Sequence, residues 1–454
     1  MPRHRWFVGL AMFVGALGVA AVLRLRGAGP SRTADVAAVA IVGVTVIDGT
    51  GKAPQPRTTV LVQDGRILAV GPDGAVTVPS HAEQIDGRGK YLVAGLWDAH
   101  VHLGAIGREA LPTLVRHGIT SVRDLGGDFA AVRAWRDEIE RGDWLGPRIR
   151  MAGPIVENAA WLARVRKRGV PEFDAWLAER IPVETEADAL KAVDSIVGMG
   201  ADVLKLRTAP GIEAYRALLA AAERKGLRVA GHQPPPTIGL AGALAAGQRS
   251  IEHIEGLDEL DALPAATRDS LARAYAAAEV WITPTLASSF GRFVPDSVTA
   301  ARVAGTGTDA DLGLVTGPLR AMWQVQRKLE AGDDTPLALY ARMVDRGMAG
   351  MRTLRAAGVK VMAGTDLGVL TLTPGHSLHQ ELRYLVDSLA LTPLEAIQAA
   401  TVEPARYFGQ GNEMGTVEPG RLADLVLLGA DPLADIRNVA KVELVILRGR
   451  VVWR

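Results

Sequence analysis

The sequence predicts an α/β chain: a (β/α)8 TIM barrel, a small β-sandwich domain built from both chain ends, and an apolar segment at the amino terminus. Three observations lead there. Between residues 95 and 405, short apolar segments alternate with helical stretches, and eight of them have strand character. Residues 36–94 and 406–454 instead read as strands separated by turn dipeptides. At 454 residues the chain exceeds the size at which one core normally stops growing, so a large barrel carrying an attached module is expected.

Taken in order, residues 6–23 form an unbroken apolar run preceded by Arg3, His4 and Arg5, which assigns residues 1–30 to an export signal or a membrane anchor. The run is near the lower limit for spanning a bilayer. Gly18-Val19-Ala20 resembles a cleavage site, whereas Arg24 and Arg26 directly after the run are unusual for a cleaved signal. The expected location is therefore outside the cytoplasm, in the periplasm or medium or anchored to the inner membrane. In the first β part, residues 40–47, 59–63 and 66–71 are the candidate strands, separated by Asp48-Gly49 and Asp64-Gly65. The barrel strands are expected at residues 96–102, 121–125, 148–153, 203–207, 228–232, 250–253, 280–286 and 360–366, with helices such as 186–198 and 214–225 between them. Residues 287–339 are too long for an ordinary connection and are expected to form a lid or a helical insertion. The second β part holds strands at 424–428 and 441–453.

Composition removes several classes of function. Hydrophobic residues make up 48% and charged residues 22%, as in a globular protein, and 51 basic against 50 acidic residues give no electrostatic reason to expect nucleic acid. There is no cysteine, which excludes disulfides, thiolate metal sites and a cysteine nucleophile. Any transition metal must be held by nitrogen and oxygen.

The richest segment is Gly95-Leu-Trp-Asp-Ala-His-Val-His102. If residues 91–102 form one strand, side chains alternate faces, so His100 and His102 point the same way and both imidazoles can reach one cation. A pair of this kind is also common as ordinary packed or surface histidines. The other strand ends decide between these readings: Lys205 lies near the end of the fourth strand, His232 ends the fifth, His253 the sixth and Asp366 the eighth. In a (β/α)8 barrel, catalytic groups gather at the carboxyl ends of the strands. Each residue has a plain alternative: a snorkelling Lys205, a capping His253, Asp366 as helix N-cap. Six such residues at one rim favour a metal site.

These segments resemble the metal-dependent amidohydrolase superfamily. The resemblance rests on Gly95 to His102, Gly200-Ala-Asp-Val-Leu-Lys205, Ala230-Gly-His232, Ser250-Ile-Glu-His253 and Ala363-Gly-Thr-Asp366. Downstream, Gly375-His-Ser-Leu-His-Gln-Glu-Leu382 and Ala423-Asp-Leu-Val-Leu427 are similar to the subgroup of imidazolonepropionase-like enzymes and Xaa-Pro and Xaa-Arg dipeptidases. It implies that His100, His102 and Asp366 hold one divalent metal, that His232 and His253 hold a second, and that Lys205 bridges them as a CO2-derived carbamate. The chemistry agrees, since two close cations need an anionic bridge and an ammonium would repel them. Nitrogen and oxygen ligands fit Zn2+, with Mn2+, Co2+ and Fe2+ as alternatives. The resemblance further implies a metal-bound hydroxide attacking an amide carbonyl, with Asp366 taking a proton and passing it to the leaving nitrogen. Deaminases of this superfamily typically carry an acid after the fifth-strand histidine. This chain has His232-Gln-Pro-Pro-Pro236 instead, which favours hydrolysis of C–N bonds in dipeptides or N-acyl amino acids. Cyclic-amide or lactone hydrolysis, a mononuclear deaminase and an inactive envelope binding protein are the alternatives.

For substrate binding, Arg207 shares the inward face with Lys205 if the fourth strand continues, where it would clamp a carboxylate or pair with Asp124 or Asp202. His379 follows Asp366 closely enough to line the pocket, against the plainer reading of a helix-start histidine. Ser250, Ser288 and Ser289 read as structural, since none lies in a Gly-x-Ser-x-Gly elbow. The partners expected are a small amide or dipeptide, a membrane through the amino-terminal segment, and a second copy in a homo-oligomer.

Overall fold

The computed structural model describes residues 38–167, 177–307, 310–330 and 337–454. The amino-terminal apolar run lies outside the described residues. Among them, no helix is long and apolar enough to cross a membrane.

Eight short strands overlapping the expected segments run parallel, but the last two are shorter than expected: the seventh ends at Thr283, and the eighth at Val361, five residues before Asp366. The eight are Leu96–Val101, Ile119–Asp124, Arg148–Met151, Val203–Leu206, Arg228–His232, Ser250–Glu252, Trp281–Thr283 and Lys360–Val361. The first three pair with one another, as do the fourth to eighth. Parallel bridges Ala152–Val203 and Val101–Leu367 join the two groups, so the hydrogen-bonding circuit returns to its start. This is an α/β arrangement of parallel strands consistent with a TIM barrel. Helices lie between the strands, and their ends follow from local chemistry. Asp128 caps Phe129–Arg141 by accepting from the Ala131 amide, and Thr185 with Asp188 forms a capping box on Glu186–Met199.

Both chain ends contribute to a single eight-stranded sheet, in which Glu83–Asp86 pairs in parallel with residues 39–42 off the path of the other seven. Its order runs from the carboxyl-terminal strands Arg450–Trp453, Val442–Leu447 and Leu425–Leu428 to Tyr91–Ala94, and on through Val39–Val46, Gln55–Gln63 and Arg66–Pro72. A buried cluster including Ile41, Val60, Val62, Leu92, Leu425 and Ile446 forms its own core.

The structure departs from the sequence reading at three further points. Residues 91–102 are not one strand: Tyr91–Ala94 belongs to the end-built sheet and Leu96–Val101 to the ring. The crossing is at Gly95, where a Cβ would come 2.1 Å from Thr120 Oγ1, so only glycine permits the approach. Residues 441–453 are a hairpin turning at Arg448, in left-handed conformation, and Gly449. An inserted parallel pair, Ile155–Asn158 and Arg180–Val183, extends the sheet beside the fourth strand through the Leu206–Val156 pairing, a feature absent from the sequence reading. Of the two options for residues 287–339, the structure has helices: Asp296–Ala304, a short 3-10 turn and Gly317–Glu330 precede the long Leu337–Ala356.

Candidate metal centre

The first and last ring strands bring three groups together. One ligand atom from each of His100, His102 and Asp366 lies within 4.8 Å of the other two. Asp366 Oδ1 stands 3.3 Å from His100 Nε2 and 3.1 Å from His102 Nε2. Gly364 allows this closeness, because a Cβ there would come 2.8 Å from the His100 amide nitrogen. His253 continues the cluster, with ring centroids 4.8 Å from His100 and 4.4 Å from His232. Both His253 and Asp366 hold positive φ, at 72° and 67°, and Thr285 behind His253 does too. Such backbone strain in side-chain-bearing residues collects at functional sites.

The far nitrogens of the rings are anchored. His102 Nδ1 lies 2.8 Å from the Gly126 carbonyl oxygen, which can only accept, so Nδ1 carries a proton and Nε2 is the atom turned toward Asp366. His100 Nδ1 lies 2.9 Å from Glu252 Oε2, and His253 Nδ1 lies 2.8 Å from Thr285 Oγ1. Burial, reinforced by the charge of Lys205, holds His100 well below the usual histidine range and therefore neutral. For Asp366, burial favours protonation but is outweighed by the surrounding imidazoles, chiefly His100 and His102, so its carboxyl is held ionised. Two imidazole nitrogens and a carboxylate oxygen thus converge, a donor set that a divalent cation could share.

Lys205, His232 and His253 line the same cavity as His102 and Asp366, a space of about 680 Å3 that is within the range of small-molecule sites. Lys205 is 1% exposed, and among the described residues its Nζ has no hydrogen-bond partner. Burial pushes its amine down to about 8, against the opposing pull of Glu252 and Asp366. The Pro234–Pro236 run forms part of the wall beside His232.

The two expected substrate residues separate. Arg207 lines the cavity, and its carboxylate partner is Glu157 at 3.3 Å rather than Asp124 or Asp202. Asp124 instead accepts the Leu103 amide, and Asp202 pairs with Arg136 and Arg150. His379 does not reach the cavity. It starts the helix His376–Leu389 but faces the end of Leu111–Arg116, with Nε2 2.9 Å from the His117 carbonyl and burial pushing its ring down to about 3. Its place in the first turn of that helix turns it toward this neighbour.

Several supporting groups escaped the sequence reading. Arg123, fully buried in the second strand, reaches both oxygens of Glu252 at 2.8 Å and also donates to Ser250 and Thr283. Glu252 in turn orients His100, the kind of outer partner that fixes a ligating imidazole. Asp98, raised by burial to about 7, accepts from the Thr365 amide and hydroxyl and ties the first strand to the segment carrying Asp366. The available signal was a charged residue inside each strand, Arg123 in Ser121-Val-Arg-Asp124 and Glu252 in Ser250-Ile-Glu252.

The amidohydrolase family profile matches residues 91–452. The chain belongs to the amidohydrolase family. Among relatives, this amidohydrolase is 25% identical over 415 residues to adenine deaminase 3 of Rhizobium meliloti, covering 87% of the chain but 54% of that protein. It thus spans about half the length of that relative. To the imidazolonepropionase of Acidiphilium cryptum it is 27% identical, covering 87% of the chain and 90% of the relative. A crystal structure described as a putative prolidase from Bifidobacterium longum superposes with a TM-score of 0.69 and 26% identity, covering 92% of this chain and 95% of the other.

Proposed function

We propose that the protein is a binuclear metal-dependent hydrolase that cleaves amide C–N bonds of small substrates such as dipeptides or N-acyl amino acids, on a (β/α)8 barrel. The observation that carries this reading is the convergence of ligand atoms from His100, His102 and Asp366 beside a buried Lys205 amine that has no hydrogen-bond partner among the described residues. Those donors fit a divalent metal, and they favour His100, His102 and Asp366 for one ion and His232 and His253 for the other. An amine lowered to about 8 is substantially neutral in mildly alkaline solution, and a neutral amine adds CO2 to give an N-carboxylate and one proton. The Lys205 carbamate would replace a buried cation by an anion with two oxygens, which suits a bridge. Two bound divalent ions, Zn2+ by donor type, would supply Lewis acidity and a water acidified toward neutral pH.

The remaining steps fall to the chain. Asp366 is held ionised by its imidazole neighbours, with Oδ2 3.4 Å from the Ser288 hydroxyl, and so is ready to accept a proton during attack and return it to the leaving nitrogen. The Glu252–Arg123 network keeps His100 in one orientation. Gln233, where deaminases of this superfamily typically carry an acid, is engaged with Glu259 at 3.0 Å and offers no carboxyl to protonate a ring nitrogen, which supports hydrolysis over deamination.

Metal analysis together with a screen of N-acyl amino acids and dipeptides tests the reading. About two metals per chain and release of amino acid are expected, and Lys205→Ala should lose both metal and turnover, with partial rescue by acetate or propionate. Full metal and full activity in Lys205→Ala would remove the bridge. One metal per chain with ammonia released from adenine would replace the reading by a deaminase.

A further inference from the structure

The inserted strand pair Ile155–Asn158 and Arg180–Val183 also shapes the pocket, because it and the helix between its strands, Ala159–Arg166, carry Glu157, Trp161 and Arg180. Glu157 is completely buried. Its Oε1 accepts from Arg180 Nη1 at 2.8 Å and Arg207 Nη1 at 3.3 Å, and its Oε2 accepts the Thr208 hydroxyl at 2.5 Å. One carboxylate therefore faces two guanidinium groups.

The two arginines differ. Arg180 is almost fully buried and close to Glu157. Arg207 is half-exposed, reaches Glu157 through one nitrogen at the longer distance, and lies 4.3 Å over the Trp161 ring. A guanidinium offers five N–H donors in a planar fork, and Arg207 spends one on Glu157 and one face on the indole. Its backbone is fixed too, by the Arg207 amide donating to the Val156 carbonyl at 3.0 Å. The other edge of the fork remains for the cavity that Arg207 lines together with Lys205 and His232.

We infer that Arg207, steadied by Glu157 and Trp161, is an anion subsite that selects amides bearing a free carboxylate, bound through the edge of its guanidinium that Glu157 leaves open. This rests on the amide-hydrolase reading and narrows it: N-acyl amino acids and dipeptides supply the carboxylate, whereas lactones, neutral cyclic amides and nucleobases do not. Two charge-assisted hydrogen bonds of this kind change kcat/KM by roughly 10- to 10²-fold.

The test compares N-acetyl derivatives of leucine, phenylalanine and arginine with the matching N-acetyl amino alcohols, in which CH2OH replaces the carboxylate and no second amide is introduced. The metal-loaded full chain should prefer the acids by about 10- to 10²-fold, mostly through KM. Arg207→Met should bring the acid-to-alcohol ratio near one, and Arg207→Lys, which keeps the charge without the fork, should fall between. Thermal stabilisation by free leucine against leucinol supplies a readout independent of turnover, present for leucine with the wild type and lost in Arg207→Met. A wild type indifferent to the carboxylate, or a preference that survives in Arg207→Met, overturns the subsite. Failure to cleave any compound of the panel overturns the hydrolase reading for these substrates, while selective stabilisation by leucine, if lost in Arg207→Met, still upholds the subsite.

Discussion

Replacing Lys205 by methionine separates what folding favours at that position from what the site requires. The side chain is 1% exposed and its Nζ lacks a hydrogen-bond partner among the described residues. Burial lowers its pKa from 10.5 to about 8, even with Glu252 and Asp366 opposing. That difference, at about 1.4 kcal/mol for each pH unit, is a penalty of about 3 kcal/mol for keeping the ammonium in the metal-free protein. The unfolded chain holds this proton up to pH 10.5, whereas the folded chain releases it near 8. Between those values the unfolded state binds more protons, so stability contributed by this group is complete above 10.5 and is lost as pH falls through 8. Methionine has similar length and no charge. Metal-free Lys205→Met should therefore be more stable than metal-free wild type by about 3 kcal/mol at pH 7, with the gap closing as pH rises toward 10.5. Urea unfolding and calorimetry of chelator-treated proteins across that range measure it. Adding metal should reverse the order, because binding stabilises only a chain that retains its ligands. A metal-free variant weaker than wild type at pH 7, or a gap that does not change with pH, would show that the amine has a compensating partner and that the reasoning fails.

Asp366→Asn should keep much of its metal yet lose roughly 10²- to 10⁴-fold in kcat; turnover within tenfold of wild type would assign the proton to another group. Arg123→Met leaves Glu252 buried without its cation, which should cost about 3–5 kcal/mol in denaturant unfolding and loosen His100, seen as weaker metal retention. A cost below about 1 kcal/mol would mean that the pair is dispensable. Residues 1–26 should carry the chain out of the cytoplasm, since an apolar run after Arg3 and Arg5 has no place in a barrel core. Fractionation of tagged full-length protein checks this, and recovery from the soluble cytoplasm with Met1 to Arg26 intact would overturn it.

The sequence by itself determined roughly where the ring strands lie, because alternation and turn signals are local, but not their lengths: the eighth strand stops at Val361, and Asp366 follows on a loop. His100, His102, Lys205, His232, His253 and Asp366 could be read from it, since the end of a parallel strand is also the rim of the fold. Tertiary structure decided the rest. Glu252 meets His100 from 152 positions away and Arg123 from 129, pairings that exist only once the strands are assembled. The break at Gly95 depends on Thr120, which no local pattern around residue 95 contains. Glu157, Trp161 and Arg180 reach Arg207 through an inserted strand pair whose short apolar run could not reveal which strand it would join. His379 was ambiguous for the same reason: helical spacing allowed it to face either the pocket or a neighbouring helix, and packing against His117 selected the neighbour. Local chemistry places a side chain on a face, but what that face meets is set by how distant segments close on one another.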